Sequence, residues 1–253
     1  MDRGEAIVQF ATRLGDDTMV LAHRMSEWCS NGPFLEEDIA MSNIALDLFG
    51  QSRIIYTYAG EQEGKGRTED DFAYKRDVHE FTSCLLVEYP NTDFGYTMVR
   101  QLMYSSFQML LYAGMEESSD EGLASFATKS LKEVKYHWRH ASRWVVRLGD
   151  GTQESRDRVQ DAVNVLWSYR HELFEEDELT KFLLNEGVIP DLKEIEKLYE
   201  SMIQEVLEEA TLSIPEKEGY IASGGRKGHH SEHLGHILAE FQTLVRAYPD
   251  AQW

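Results

Sequence analysis

The stretch Lys132-Glu133-Val134-Lys135-Tyr136-His137-Trp138 lies inside a longer periodic pattern that decides the fold. Apolar residues recur around it in steps of three and four, at Leu131, Val134, Trp138, Ala141, Val145 and Leu148. This period is typical of an α-helix that turns one apolar face toward the core of a helical bundle. The residues around the stretch therefore predict a long helix that packs against other helices.

The same stretch carries an incomplete metal-binding motif. Four-helix bundles that hold two irons use Glu-x-x-His on two of their helices, because residues three apart project into the same core space. Here Val134 stands where the glutamate before His137 is required, and the matching register of an earlier helix reads Leu48-x-x-Gln51. These residues indicate a di-iron bundle that has lost its irons. The degenerate ligand positions are Asp47, Leu48, Gln51, Val134 and His137.

Composition narrows the class of protein. Among 253 residues, 45 acidic and 25 basic side chains give a formal net charge of −20, which disfavours binding to nucleic acid or to anionic membrane surfaces. Two cysteines form neither a disulfide framework nor a Cys-x-x-Cys pair, and no signal peptide or membrane-spanning run is visible. We therefore expect a cytoplasmic protein.

All five prolines fall between periodic segments, as a nearly all-helical chain requires. Helices are predicted over about residues 5–29, 36–60, 68–88, 94–117, 121–148, 153–174, 176–185, 192–212 and 231–247, with no strand. Two long helices, a connection of about 25 residues with its own helix, and two more long helices match a bundle with one crossover. The prediction is all-α: one domain over residues 1–253, a ferritin-like four-helix bundle with a long crossover connection and additional C-terminal helices.

Polar residues on the second helix invite two interpretations. Asn43, Asp47 and Gln51 are spaced four apart, so they are expected to stand one above another on an inward face. They would be either metal ligands or a buried polar network, and the network is favoured because iron sites need several carboxylates. If Asp47 is buried without a metal, a basic residue should neutralise it, with Arg24 and Arg100 as candidates.

Two other pairs have ligand-like spacing. Glu133 and His137 are four apart, so a mononuclear site is conceivable, but Glu133 lies off the apolar stripe and is more simply a solvated or interface residue. His137 is interpreted as a packed, hydrogen-bonded histidine or a relic of the motif. His23 and Glu27 form a single pair at helical spacing, which is a weak signal.

The segment at residues 224–236 has the most unusual composition, with four histidines in eight residues. Its glycines and basic residues precede a helix start at Ser231, which favours an ordered interaction loop over a metal site, with phosphate binding as a third alternative. The predicted partner-binding residues are Arg226, Lys227, His229, His230 and His233. No nucleophile elbow, dinucleotide fingerprint or reactive-cysteine signature is present, so no catalytic residue is assigned.

Nearly the whole chain resembles one protein family. The matching segments are residues 14–17, 27–29, 43–53, 86–88 with 90–91, 132–137, 147–152, 210–215, 224–235 and 252–253. Through them the chain resembles the C subunits of bacterial ring-1,2-phenylacetyl-CoA epoxidases, oxygenases of aerobic phenylacetate degradation. Taken together these segments are more specific than any single motif above.

The resemblance implies a structural, metal-free subunit. Such a subunit pairs with a homologous catalytic A subunit, which holds the di-iron centre and binds the CoA ester. A small B subunit and an iron–sulfur flavin reductase that uses NADPH complete a monooxygenase that epoxidises the aromatic ring. A homodimer of the isolated chain is a further alternative that the sequence leaves open.

Two other interpretations stay open at this stage. In one, the chain is itself an active di-iron or mononuclear iron enzyme, with Asp47, Glu133 and His137 among its ligands. In the other, it is a binding module whose degenerate core pocket holds an acyl-CoA. Iron content separates the first interpretation from a structural subunit, and ligand-dependent stabilisation would identify the second.

Overall fold

The computed structural model describes residues 1–216, 219–249 and 251, and within them the regular structure is helical, without strands. Helices α1–α10 span Arg3–Ser26, Leu35–Glu63, Glu69–Tyr74, Leu85–Glu88, Phe94–Met115, Glu121–Gly149, Gln153–Leu166, Glu178–Asn185, Leu192–Glu209 and Glu232–Ala247. Short 3₁₀ helices cover Val78–Glu80, Trp167–Phe174 and Gly225–Lys227. The all-α prediction is confirmed.

Polar side chains fix where several helices begin. The Asp2 carboxylate accepts a hydrogen bond from the backbone N–H of Gly4 at 3.0 Å, at the start of α1. Asp120 accepts in the same way from the N–H of Leu123 at 2.8 Å, at the start of α6. These caps satisfy N–H groups that have no partner inside the helix.

The prediction of one helix over residues 68–88 is wrong, because the structure divides that segment into α3, a 3₁₀ turn and α4. Two carboxylates on α1 explain the break. The N–H of Thr82 donates to Asp16 at 2.7 Å, and the N–H of Cys84 donates to Asp17 at 2.8 Å. A backbone whose N–H groups bond to side chains of another helix cannot also bond to its own preceding turn.

The chain forms two compact units. The first comprises residues 1–90 and the segment from residue 223 onward, and in it α1 packs along α2 while α10 packs against α1 and α3. Most of α1 is buried on every side between Phe10 and Met25, including the charged residues Asp16 and Asp17. A helix that carries buried carboxylates needs partners for them, and those partners form the site described below.

The second unit comprises residues 91–222. In it α5 packs along α6, and α7 and α9 lie against both helices. Four members of the predicted α6 stripe are buried, whereas Trp138 and Leu148 are half-buried. The helix predicted over residues 153–174 becomes a 3₁₀ helix after Leu166. The expectation of one domain over residues 1–253 stays a prediction.

Among the described helices, none combines the length needed to cross a bilayer with sufficient apolar character.

Candidate functional site

The two registers that the sequence predicts to correspond to the iron-ligand positions of di-iron bundles are buried. On α2, Leu48 and Gln51 are inaccessible to solvent, and on α6 the same is true of Val134 and His137. Leucine and valine offer no ligand atom, so each register lacks the carboxylate that a di-iron centre needs. The residues present in these registers therefore do not fit that centre.

The polar residues of α2 do not form the buried column expected from their spacing. Asn43 is exposed, Asp47 is half-buried and Gln51 is buried. Residues four apart on an α-helix differ by about 40° around the axis, so the row turns from solvent to core over two steps. The expected neutralisation of Asp47 by Arg24 or Arg100 presupposed burial and stays a prediction.

The structure also shows the surroundings of the two other pairs with ligand-like spacing. His23 stacks on the Phe241 ring with centroids 4.0 Å apart, and burial lowers the pKa of His23 to about 4. The neighbouring carboxylate of Glu27 accepts from Arg24 at 2.7 Å. On α6, Glu133 is half-buried. Across residues 1–216, 219–249 and 251, no three His, Cys, Asp or Glu side chains are grouped so that they could hold a metal ion.

In the described part of the first unit, three fully buried carboxylates are each bonded to a cationic side chain. We call this set the charge network: Asp16 with Arg76, Asp17 with Arg226, and Glu88 with His230. All three carboxylates are fully buried. A buried charge is tolerated when it is paired and its remaining hydrogen-bonding positions are filled, and this condition is met at each carboxylate.

Asp16 lies at the most crowded point of the network. Its carboxylate accepts from two nitrogens of Arg76, from the Tyr56 hydroxyl at 2.6 Å, and from the N–H and hydroxyl of Thr82 at 2.7 and 3.0 Å. Burial and the adjacent Asp16 charge raise the pKa of Tyr56 well above its ordinary value. Burial alone would lower the pKa of Arg76, but the charges of Asp16, Tyr56 and Glu80 and the hydrogen bond to Asp16 together outweigh burial and raise that pKa. The arginine therefore stays charged.

The second pair joins α1 to the C-terminal segment. Both guanidinium Nη atoms of Arg226 donate to the two carboxylate oxygens of Asp17, at 2.8 and 2.9 Å. Arg226 also donates to the carbonyl of Thr82 at 3.0 Å, and Asp17 accepts from the N–H of Cys84 at 2.8 Å. This bidentate geometry is the strongest form of an ion pair between two side chains.

The third pair constrains the protonation of His230. Its Nδ1 lies 2.5 Å from Glu88 Oε1, and its Nε2 lies 2.8 Å from the carbonyl oxygen of Phe81. An ionised carboxylate and a carbonyl both only accept, so both ring nitrogens must donate and the ring is an imidazolium. Burial alone would lower the pKa of His230, but hydrogen bonding and charge attraction from Glu88 outweigh it and raise that pKa. Ser231 donates to the second oxygen of Glu88 from its N–H and its hydroxyl, at 3.1 and 2.7 Å.

These contacts account for much of the unusual composition at residues 224–236. Arg226 and His230 point into the charge network, whereas Lys227 and His229 are exposed and His233 is half-buried. Gly228 has φ of +77°, and a Cβ there would collide with the carbonyl oxygen of His79. The segment is thus shaped to lie against the preceding part of its own unit.

Sequence reasoning missed the acidic half of this network. The available signals were the carboxylates of Asp16, Asp17 and Glu88, because each stands in or beside an apolar run. The identity of each partner could not be read, since Arg226 lies 209 positions from Asp17 and His230 lies 142 positions from Glu88.

Comparison with known proteins shows which family the chain matches. A family model described as "Phenylacetic acid catabolic protein" matches residues 2–253. Among characterised proteins, the chain is 41% identical over 247 residues to the C subunit of the 1,2-phenylacetyl-CoA epoxidase of Escherichia coli (strain K12), covering 98% of this chain and 99% of that protein.

Proposed function

This chain belongs to the phenylacetic acid catabolic protein family, and we propose that it is the structural subunit of a 1,2-phenylacetyl-CoA epoxidase. In this role the chain takes part in aerobic phenylacetate catabolism in the cytoplasm without carrying out chemistry itself. The similarity to the E. coli protein supports this role, because it runs along 98% of this chain and 99% of that relative.

One observation carries the structural part of the proposal. The positions that would supply carboxylates to a di-iron centre hold Leu48 and Val134, and both are fully buried. Ring oxidation needs a redox-active metal or an organic cofactor. We therefore place the di-iron centre in a homologous catalytic A subunit and assign no cofactor to this chain. The small B subunit and the reductase complete the proposed system.

The proposed fold of this chain is a ferritin-like four-helix bundle. Four helices of 24, 29, 22 and 29 residues, α1, α2, α5 and α6, supply the lengths that such a bundle needs. Residues 64–93 between α2 and α5 provide the long crossover connection. The segment at residues 224–236 is a proposed partner contact through Lys227, His229 and His233, with Arg226 and His230 holding it in place.

Two measurements test this function. The chain is purified alone after expression with added iron, and iron is measured by elemental analysis; we expect close to none per chain. Epoxide formation from phenylacetyl-CoA is then measured with the A and B subunits and the reductase, with and without this chain. We expect activity only when the chain is present. Near two irons per chain, or full activity without the chain, would overturn the proposal.

A further inference from the structure

The outward face of α2 exposes large apolar side chains to solvent. Leu35, Ile39 and Leu46 are 71%, 52% and 66% exposed. Their spacings of four and seven place them on one side of the helix, and Gly50 follows four residues later. We call these four residues the α2 stripe. Phe34, which is 46% exposed, extends it at the start of the helix.

The opposite side of the same helix is already used within the chain. Met41, Ile44, Leu48 and Ile55 are fully buried. A helix that is apolar on both sides is typical of a helix buried on both sides, and a row of large exposed apolar residues marks a protein–protein contact. Packing within the described part of this chain therefore accounts for only one of the two apolar faces of α2.

Gly50 supplies an independent sign of a second helix. It lies inside α2, is exposed, and a Cβ added there would have no atom of the described residues within 4 Å. Glycine inside a helix is unfavourable, and the surroundings of residue 50 do not require it. Close approach of another backbone would explain it, because a side chain at residue 50 would hold the two helices apart.

The charges beside the α2 stripe indicate which kind of partner binds there. Glu36 and Asp47 lie on one side of it and Asp38 on the other, while Arg53 at its far end bonds to Glu69 at 3.3 Å. A second copy of this chain, also carrying a net charge of −20, would bring two acidic rims together. A helix with apolar residues flanked by lysine or arginine complements the stripe better.

We propose that the α2 stripe is the docking surface for a basic-flanked helix of the catalytic subunit. This inference rests on the proposed function, which requires such a partner but does not say which face of this chain meets it. Leu46 lies near the centre of the contact, and Gly50 sets the distance between the two helices. The interface is thus a helix-to-helix contact on the side of α2 that faces away from its own core.

The test measures the dissociation constant between this chain and the purified A subunit by biolayer interferometry. For Leu46→Glu we expect at least tenfold weaker binding, because a charge is introduced at the centre of an apolar contact. Leu198→Glu is the matched control: Leu198 is 59% exposed on α9, and binding should stay within twofold of wild type.

Gly50→Gln separates binding from folding. Glutamine favours the helix and the space around residue 50 is open, so thermal unfolding of the isolated chain should occur at the same or a slightly higher temperature. Binding to the A subunit should nevertheless weaken at least tenfold. A variant that gains stability and loses affinity cannot be dismissed as misfolded.

Three other outcomes of these measurements would contradict the docking proposal. If wild type binds the A subunit and both variants bind equally well, the stripe is not the docking surface and the proposed function stands. If wild type does not bind the A subunit at all, the proposed function is overturned, and the docking proposal that rests on it is overturned with it. If sedimentation shows a dimer of this chain that Leu46→Glu dissolves, while binding to the A subunit is unchanged, the occupant is a second copy and the proposal is overturned.

Discussion

Arg226 and Asp17 are 209 positions apart in the sequence, yet they form a bidentate ion pair with both side chains buried. The pair joins the segment that precedes α10 to the middle of α1. Neighbouring backbone groups of Thr82 and Cys84 complete the hydrogen bonds of the two charges. The C-terminal segment is therefore held by a pair of buried charges, and its attachment should respond strongly to removal of either one.

Arg226→Met tests this attachment. The variant leaves Asp17 charged, buried and short of its main partner, so we expect the free energy of unfolding to fall by about 3–5 kcal/mol. The measurement is urea unfolding followed by circular dichroism. Limited proteolysis should also cut residues 223–249 faster than in wild type, because the segment loses its anchor.

Two further variants serve as controls for Arg226→Met. Lys197→Met removes an exposed ion pair with Glu194, and the urea midpoint should not move. Asp17→Leu combined with Arg226→Met removes both buried charges, and the double variant should be more stable than Arg226→Met alone. A single variant as stable as wild type would show that the pair does not hold the segment.

His230 makes stability sensitive to rising pH. Its folded-state pKa is raised above the ordinary value of 6.5, so its contribution is complete below pH 6.5 and is lost as pH rises through the raised pKa. We expect the free energy of unfolding of wild type to fall over that range, as the ring loses the proton that bonds to Glu88 or Phe81. Urea unfolding at pH 6 to 9 measures this.

The neighbouring histidine provides the control for that effect. His230→Gln should be less stable than wild type at pH 6 and should lose the decline that His230 causes as pH rises. His229 is exposed, so His229→Gln should keep the wild-type pH dependence. Equal pH profiles for wild type and His230→Gln would contradict the imidazolium assignment.

His23 makes stability sensitive to falling pH. Burial between Phe49 and Phe241 lowers its pKa from 6.5 to about 4, so the unfolded chain takes up a proton before the folded chain does. Between pH 6.5 and pH 4 this difference should cost about 3 kcal/mol of stability. His23→Phe keeps the stacked ring and cannot be protonated, so urea unfolding should show a smaller loss over that interval. An unchanged loss would place the acid sensitivity elsewhere.

Local pattern predicted most of the helices of this chain. The α6 period needed only residues a few positions apart, and the side chains at Leu131, Val134, Ala141 and Val145 are indeed buried. The prediction over residues 68–88 was wrong because its backbone partners are carboxylates about 66 positions earlier. Helical propensity carries no information about such distant competitors.

The candidate site was harder to predict for the same reason. The sequence showed that Arg226 and His230 lie in a segment of unusual composition. It did not show whether these basic residues bind a partner protein or a buried carboxylate of their own chain, because the local pattern is the same in both cases. The row Asn43, Asp47 and Gln51 was misread because a four-residue step drifts around the helix axis. What decided these cases was the tertiary environment of each side chain.

Two buried glutamines allow opposite predictions for the same substitution. Gln101 on α5 is fully buried, and neither polar atom of its side chain has a hydrogen-bond partner among the residues that the structure describes. Gln242 on α10 is also buried, but its Nε2 donates to the carbonyls of Ala73 and Arg76, both at 3.0 Å.

We expect Gln101→Met to stabilise the chain by about 1 kcal/mol, because a desolvated amide is replaced by an apolar group of similar length. Gln242→Met should destabilise it by about 1–3 kcal/mol, because the carbonyl of Ala73 loses the amide donor of Gln242, while the carbonyl of Arg76 keeps its bond from Arg246. Urea unfolding of both variants against wild type measures the two signs. If Gln101→Met is instead destabilising, the amide makes a bond that the described residues do not supply, and residue 101 would be the place to look for a bound molecule.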